Sequence, residues 1–490
     1  MSIALPDTRA GRSRIRLDAA EEPLESAESA LILASLGLLF LTCIDAEPVR
    51  NLAVLCWLVS FGLLALWNVG AALGLYVSAV ALYSNLFFSG TFSLFERPDH
   101  PALLILLTSL LFFQPSGRAK WTLDWTTMSI GAFLVYGVMN GFLNGTFSNA
   151  TVAAFARTLG IPLVMFVAIT NARSRPKDLW SFFLVMFLLA SYSCVLSVLW
   201  QVEELRGLSF PAWIMDPEVN RWIDSIRSGG VLMQPAWNGL QLSLAFCMVY
   251  LAYYRWVFGL GRVLLLVLAG AILLSVYLTY TRGVYLGALA AVVGLLWMRT
   301  GDGKHIAAMR LGLVLTGLIG MFLMVFAQPS TLEGRIGDES TVLWRFEIWK
   351  IALDMIPSKP LFGYGFHGYG ENAAEFLGNS DILTRSGLEI NEPAVHNTFL
   401  NVTIELGLIG FLLYALVHVL ILFAMTRSCH RLWGRFGVYW ALIFVGVYFI
   451  AAQFAVTLEP TTNLMLYGTM GLLAGMTTVR HGAPRRDTVS

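Results

Sequence analysis

The sequence predicts an all-α protein, a polytopic bundle of transmembrane helices with about 12–14 spans and a large outer loop that contains short interfacial helices. Three observations predict this fold. The 490 residues are 57% hydrophobic and 13% charged, against roughly 25% charged in an ordinary soluble domain. Apolar runs of helical length recur along the chain, and basic residues alternate between them. A bilayer can cover that much apolar surface, whereas water cannot.

Fourteen apolar runs are candidates for membrane-spanning helices. Two of them, at 30–44 and 101–114, are shorter than the ~20 residues that a spanning helix needs, so we expect tilted or re-entrant segments there. The runs lie at 30–44, 51–68, 70–90, 101–114, 124–143, 151–170, 179–200, 236–257, 261–280, 283–299, 310–327, 398–425, 437–456 and 462–478.

The basic residues predict how the chain is oriented. If the N-terminus is cytosolic and every run crosses, 20 of the 32 Lys and Arg residues fall on the cytosolic side, as the positive-inside rule requires. Losing two adjacent runs would keep most of this asymmetry, so twelve spans also fit. The predicted organisation is a cytosolic tail at 1–29, a transmembrane bundle at 30–328, a large outer loop at 329–394, C-terminal transmembrane helices at 395–479 and a cytosolic tail at 480–490.

Charge and cysteine usage exclude several kinds of protein. A net charge of +1 argues against a general nucleic-acid binder. Four of the five cysteines fall inside apolar runs and the fifth in a basic loop, so we expect no disulfide framework and no cysteine metal site. We also predict no metal and no cofactor.

Arg282 is the first candidate functional residue. It lies between two apolar runs that almost touch, and an arginine so close to hydrocarbon is costly unless it snorkels or has a partner. It is either an anchor at a hairpin tip or an anion clamp, because a guanidinium binds phosphate oxygens in a bidentate way.

Arg345 lies in a predicted helix at 341–356 within the large outer loop. Glu347, Lys350 and Asp354 share one face of this helix, while Arg345 falls with Trp349 in the apolar stripe opposite. The helix therefore looks interfacial. Arg345 either stacks on Trp349 with its head in headgroup water or is aimed into a site beneath the helix. The segment Pro357 to Gly365 that follows reads as a structural turn.

His396 lies at the predicted outer end of the next span, where it is either a surface or capping histidine or part of a site. Asn397, Asn401 and Glu405 follow at intervals of four, which predicts a polar stripe that enters the membrane. A carboxylate inside a membrane suggests function, although all three could also bond neighbouring helices. In the first long loop, Arg221 and Arg227 flank Trp222, which marks either a sugar site or the membrane interface.

Together these segments resemble the O-antigen ligase and polymerase superfamily, which acts on lipid-linked bacterial polysaccharide. The resemblance covers roughly 230–425. In the first loop, members often carry Asn-Pro-Asn where this chain has Gln234 to Asn238. The matching motifs stand here as Thr279 to Gly283, then Arg345 and Trp349, then Pro360 to Gly365, and finally His396-Asn397 with Glu405, Gly407 and Gly410.

The resemblance implies a metal-independent, inverting glycosyltransferase in the bacterial inner membrane, with both termini cytosolic and the active site facing the periplasm. Arg282 and Arg345 would hold the pyrophosphate of an undecaprenyl-pyrophosphate-linked saccharide donor, and His396 would serve the acceptor hydroxyl. Arg227, Trp349, Asn397, Asn401 and Glu405 would contact substrate. The acceptor would be a glycan or a lipid, and the partners would include other membrane proteins of polysaccharide assembly.

Two other classes of protein fit the same features. A lipid-linked saccharide transporter, or flippase, would also have many spans, a polar stripe and intramembrane arginines, but transporters often carry internal repeats and this sequence has none that we find. A scaffold subunit of an export complex would tolerate changes at Arg282, Arg345 and His396, so substitution at these positions separates it from an enzyme.

Overall fold

The computed structural model describes residues 26–83, 97–112, 123–172, 174–217, 219–220, 223, 225, 227–255, 257, 259–299, 339–376, 395–454 and 458–476. Within these ranges the regular structure is helical and contains no strand, which confirms the predicted all-α fold. The predictions for the two tails up to 25 and from 477, for the run at 310–327, for Arg221 and Trp222, and for 329–338 and 377–394 of the outer loop lie outside the described residues.

The helices follow the predicted apolar runs. Each of the thirteen runs that include described residues overlaps a helix there. Their bounds are α1 Ser26–Leu41, α2 Glu47–Trp67, α3 Val69–Tyr83, α4 Asp99–Phe112, α5 Trp125–Leu143, α6 Asn149–Phe155, α7 Ile161–Asn171, α8 Pro176–Gln201, α9 Pro235–Arg255, α10 Leu260–Tyr277, α11 Arg282–Arg299, α12 Glu339–Met355, α13 Gly368–Asn372, α14 Thr398–Ala452 and α15 Pro460–Gly475. A π-helical turn, Ala156–Gly160, joins α6 to α7.

The chain crosses a membrane several times. Among the described residues, six helical stretches are long and apolar enough to span: Glu47–Trp67, Trp125–Leu143, Asn149–Asn171, Pro176–Gln201, Leu260–Tyr277 and Thr398–Ala452. The two runs predicted to be short form helices of 16 and 14 residues. At 1.5 Å per residue these reach about 24 and 21 Å, less than the ~30 Å hydrocarbon core.

Helix α14 is interrupted at two glycines. Gly407 and Gly434 have non-helical backbone angles inside it. A Cβ on Gly437 would lie 2.3 Å from the carbonyl oxygen of Cys429, and the rings of Trp433 and Trp440 lie 6.3 Å apart. Such contacts require the chain to turn back at Gly434, so the runs predicted at 398–425 and 437–456 are separate helices.

Contacts between distant segments define two ends of the bundle. At one end, which we call the loop end, the first loop (201–233), the tip between α10 and α11 (278–281), the segment 357–376 and the start of α14 (395–397) gather. At the other, which we call the basic end, Arg175 donates to the carbonyl of Trp67, Lys177 pairs with Glu28 at 2.9 Å, and Arg255 lies over the Phe436 ring.

The interior of the bundle is built around α15. Every residue of this helix after Pro460 is buried, and its small residues permit close packing: a Cβ on Gly468 would lie 2.9 Å from the Leu73 side chain. Helix α10 is at the other extreme, since Val263, Leu264 and Val267 are largely exposed. An exposed apolar face of this kind fits contact with lipid.

Candidate functional site

The tip between α10 and α11 carries Arg282, as the sequence predicts. Helix α10 ends at Tyr277 and α11 begins at Arg282, so only four residues connect them. Arg282 is half-buried and is the first residue of α11. A helix N-terminus attracts negative charge, and an arginine there adds a full positive charge to that of the helix dipole.

Arg227 of the first loop lies against this tip. Its Nη2 donates to Thr281 Oγ1 at 3.0 Å and its Nε approaches the carbonyl oxygen of Thr279 at 3.5 Å. The next residue, Ser228, donates its backbone N–H to the carbonyl of Leu278 at 2.9 Å. Because Thr281 directly precedes Arg282, two arginines from segments more than fifty residues apart share one small region.

Residues 453 and 454, which directly follow α14, connect this tip to the start of α14. A Cβ on Gly283 would lie 2.5 Å from Cβ of Phe454, so glycine allows α11 to approach the chain there. The neighbouring residue, Gln453, accepts a hydrogen bond from Asn397 Nδ2 at 3.5 Å. Residues 453–454 therefore link Arg282 to His396 and Asn397.

His396 and Asn397 form the entry to α14. Asn397 is the N-cap, with its Oδ1 accepting from the N–H groups of Phe399 and Leu400 at 3.0 and 3.1 Å. His396 is half-buried and has φ +51°, a backbone conformation that non-glycine residues rarely adopt. Residues held this way cluster at functional sites.

Helix α12 covers the entry to α14. Trp349 Nε1 donates to the carbonyl oxygen of Val395, the residue before His396, at 3.1 Å. Arg345 lies one helical turn before Trp349 on the same side of the helix and is half-buried. The apolar face of α12 packs on protein, with Ile348, Ile351, Ala352 and Met355 against Tyr364, Tyr369, Val395 and Ile404.

The predicted stripe of Asn397, Asn401 and Glu405 lies along the first turns of α14. Asn397 is the N-cap, the N–H of Asn401 donates to the carbonyl of Asn397 at 2.9 Å, and all three side chains are buried. The helix breaks only beyond Glu405, at Gly407, where φ is +68° and ψ −178°. Glu405 is buried and accepts hydrogen bonds from the backbone N–H of His367 and the side chain of Asn401. Substrate contacts for Asn401 and Glu405 stay a prediction, since the structure gives Glu405 partners within the protein.

The segment Pro360 to Gly365 inserts at the break beside Gly407. In an unbroken helix, Leu408 and Ile409 would donate to the carbonyls of Ile404 and Glu405. Instead those carbonyls accept from Tyr364 and Gly365 at 2.9 and 2.8 Å, and Leu408 donates to Pro360 at 2.8 Å. The turn Pro360 to Gly365 has the structural role that the sequence predicts. It anchors the segment 357–376, which we call the outer segment, to α14.

Two residues of α5 that the sequence did not single out complete this anchor. Tyr136 OH donates to the carbonyl of Leu406 at 2.7 Å, and Asn140 Nδ2 donates to the carbonyl of Phe362 at 2.5 Å. Asn140 could have been noticed as a polar residue near the end of an apolar run. Tyr136 gives no such signal, because tyrosines are common near membrane interfaces.

The local charges at the anchor are modest. Burial lowers the pKa of His367, and the carboxylate of Glu371 acts against that shift, so the imidazole is neutral at pH 7. In the described ranges no group of three or more His, Cys, Asp or Glu side chains is arranged to hold a metal ion. Contacts bring the segments that bear Arg227, Arg282 and Arg345 towards the entry of α14, and guanidinium groups suit an anionic ligand.

Comparisons with known proteins agree with the resemblance in the sequence. Residues 267–415 match the family model described as O-Antigen ligase. The chain is also 30% identical over 169 residues to the exopolysaccharide production protein ExoQ of Rhizobium meliloti (strain 1021). That match covers 32% of this chain and 38% of the relative. The family segment contains Arg282, Arg345 and His396, the residues predicted to be catalytic, while Arg227 precedes it.

Proposed function

We propose that this protein, a multi-pass membrane protein of the O-antigen ligase and polymerase superfamily, is a glycosyltransferase of polysaccharide production. It transfers a saccharide from undecaprenyl pyrophosphate to a hydroxyl of a glycan or lipid acceptor. The reaction needs no metal and inverts the configuration of the anomeric carbon. The active site is at the loop end, which faces the periplasm in the inner membrane, and both termini are cytosolic.

This proposal is supported by contacts that bring the segments bearing Arg227, Arg282 and Arg345 towards the segment that bears His396. Arg227 contacts the tip that bears Arg282, Gly283 packs on Phe454, and Trp349 of the helix that bears Arg345 bonds the residue before His396. These contacts join parts of the chain that are far apart in sequence. An arginine with only a structural role does not need other arginine-bearing segments nearby.

The chemistry requires neutralisation of the pyrophosphate. An acceptor hydroxyl oxygen attacks the anomeric carbon, the bond from that carbon to the phosphate oxygen breaks, and undecaprenyl pyrophosphate leaves with the electron pair. Arg282 and Arg345 stabilise the charge that develops on the leaving group. In this scheme the arginines supply the positive charge that a metal ion supplies elsewhere.

His396 receives or orients the proton of the acceptor hydroxyl. An imidazole nitrogen can accept a proton from a sugar hydroxyl. Attack from the face opposite the pyrophosphate gives inversion. Asn397 holds the entry of α14 by capping it, so the position of His396 is fixed by the backbone around it.

The central experiment measures transfer directly. Purified protein in nanodiscs is incubated with an undecaprenyl-pyrophosphate oligosaccharide, with and without EDTA, and released undecaprenyl pyrophosphate and extended glycan are quantified. We expect release and extension in both conditions, and loss in Arg282→Ala. Transport of intact donor across a vesicle membrane, without release, would instead support a flippase.

The location of the site has its own test. Lys359, at the loop end, and Arg435, at the basic end, are both exposed. Each is changed to cysteine in a Cys56→Ser background, because Cys56 is exposed and the other four cysteines are buried. An impermeant thiol reagent added from the periplasm should label the variant at 359 and spare the one at 435. The reverse pattern would overturn the periplasmic assignment.

A further inference from the structure

We propose that Tyr280 and Tyr277 form an aromatic platform that binds the sugar ring nearest the pyrophosphate of the lipid-linked donor. This inference rests on the proposed function and adds to it a saccharide subsite at the tip between α10 and α11. In this subsite the sugar ring stacks on the tyrosine rings, whereas the arginines bind the phosphate groups.

The position of Tyr280 suits this role. It lies two residues before Arg282, and Arg227 contacts the residues on either side of it, Thr279 and Thr281. Two residues span at most about 7 Å. A sugar attached to a phosphate held by Arg282 therefore lies within reach of the Tyr280 ring.

The backbone of Tyr280 is the second observation. Its φ is +46°, an unfavourable value for a bulky side chain, and such a conformation persists only where its surroundings hold it. The preceding connection, between α9 and α10, meets the same requirement with Gly259 at φ +57°. Glycine would avoid the cost at 280 as well, so the chain keeps a tyrosine ring there in spite of it.

The surrounding contacts hold this conformation in place. Ser228 N–H bonds the carbonyl of Leu278, and Arg227 donates to Thr281 Oγ1 at 3.0 Å. Tyr285 is buried and its hydroxyl bonds the carbonyl of Tyr277 at the end of α10. The tip is therefore fixed from both sides, which gives the Tyr280 side chain a defined place.

The rings form a small surface rather than a buried core. Tyr277 and Tyr280 have centroids 5.6 Å apart at an interplanar angle of 54°, and both are half-buried. Tyr285 lies nearly parallel to Tyr277, with centroids 6.4 Å apart. The face of an aromatic ring carries negative charge, which attracts the polarised C–H groups on the face of a sugar ring.

The competing explanation is that these tyrosines only mark the membrane interface. A residue that only anchors the protein at the interface needs an amphipathic ring but no particular backbone φ. It also does not distinguish a lipid that carries a saccharide from one that does not. Tyr439 is exposed near the basic end and serves as the matched anchor tyrosine.

The test compares binding of two lipids to protein in nanodiscs, undecaprenyl pyrophosphate with and without its saccharide. Tyr280→Gly removes the ring and suits the backbone. We expect about tenfold weaker binding of the saccharide-bearing lipid, the loss of a binding hot spot. Binding of the bare lipid should stay unchanged, and the thermal midpoint should not fall, because glycine suits the positive φ. Tyr280→Phe keeps the ring and should stay within about twofold for both lipids, as should Tyr439→Ala.

The outcomes separate this inference from the proposed function. Suppose that wild-type protein binds both lipids and that Tyr280→Gly binds the saccharide-bearing lipid as tightly as wild type does. That result would overturn the platform and leave the proposed function standing. An equal loss of both lipids in that variant also overturns the platform, because the ring would then serve the phosphate or the fold. Wild-type protein that binds neither lipid contradicts the proposed function itself, and the platform falls with it.

Discussion

The two ends of the bundle hold their basic side chains in different ways. At the basic end three cations are each held by a simple partner: Arg175 by Asp178 and the carbonyl of Trp67, Lys177 by Glu28, and Arg255 by the face of the Phe436 ring. At the loop end, Arg227, Arg282 and Arg345 come from three segments that other contacts draw together. The first arrangement orients and anchors helices, whereas we propose that the second builds a site.

The backbone shows the same contrast. At the basic end, the positions with positive φ are glycines, Gly259 and Gly434. Met233, Tyr280, His367 and His396, the non-glycine residues with positive φ in the described part of the chain, all lie at the loop end. A strained conformation persists only where its surroundings hold it. The loop end therefore keeps particular side chains where glycine would be easier.

The largest effect should come from His396. His396→Ala should reduce transfer by about 10² to 10⁴, the contribution of a general base, while the donor still binds. His396→Gln keeps a hydrogen bond but cannot take a proton. Single-turnover transfer with a fluorescent lipid-linked oligosaccharide measures both variants. Substantial activity in the glutamine variant would mean that His396 orients the acceptor, and normal transfer in the alanine variant would remove it from the site.

The arginines should come next. Arg282→Ala and Arg345→Ala should each lower transfer by roughly 10² to 10³, as for loss of one group that stabilises a developing charge. Lysine should restore it only in part, because it lacks the planar fork. Glycan ladders from cells with matched protein levels give the comparison. If both alanine variants made full ladders, the assignment of the pyrophosphate to these residues would be wrong.

Gly407→Ala tests the anchor of the outer segment. A Cβ there would lie 2.2 Å from the carbonyl oxygen of Leu361, and φ +68° with ψ −178° is nearly exclusive to glycine. We expect a loss of at least about 1–3 kcal/mol in stability, with reduced transfer. Gly446 lies in the helical segment after the reversal at Gly434, with nothing within 4 Å of an added Cβ. Gly446→Ala is thus the control in thermal melts, and an equal effect of both changes would contradict the anchor.

A smaller effect is expected from Glu405. Glu405→Ala leaves the buried N–H of His367 without its acceptor, at a cost of about 1–3 kcal/mol. Glu405→Gln retains an acceptor oxygen and should recover most of that loss. The measurements are the thermal midpoint and the KM for donor. A change in KM in the glutamine variant at unchanged stability would return Glu405 to the predicted substrate-binding role.

The smallest effect is expected at the basic end. The Arg175 side chain is 44% exposed and Asp178 lies 3.3 Å away. Arg175→Ala should cost no more than about 1 kcal/mol and should leave transfer unchanged. A loss of transfer comparable to that of Arg282→Ala would break the comparison between the ends, because it would show that transfer depends on arginines at either end.

The helices could be predicted because an apolar run of spanning length has few other structures open to it. The reversal at Gly434 follows from the basic segment between two such runs. The cap role of Asn397 could also be predicted, since asparagine is a preferred N-cap. Its spacing to Asn401 and Glu405 predicted the line of polar residues along the first turns of α14.

Other features had no signal in the sequence. The insertion of Pro360 to Gly365 at Gly407 joins segments more than forty residues apart, and Tyr136 and Asn140 join it from further still. Local patterns do not encode such tertiary pairing. The positive φ of Tyr280 is equally hidden, because a tyrosine gives no reason to expect it.

The break at Gly407 also has a consequence for how the protein is made. The carbonyls of Ile404 and Glu405 lose their partners within the helix, and in lipid such groups need partners from protein. Those partners, the N–H groups of Tyr364 and Gly365, leave the ribosome about forty residues earlier. The outer segment is therefore already synthesised when the break enters the bilayer, and deletion of 360–365 should impair membrane insertion of the following helix as well as catalysis.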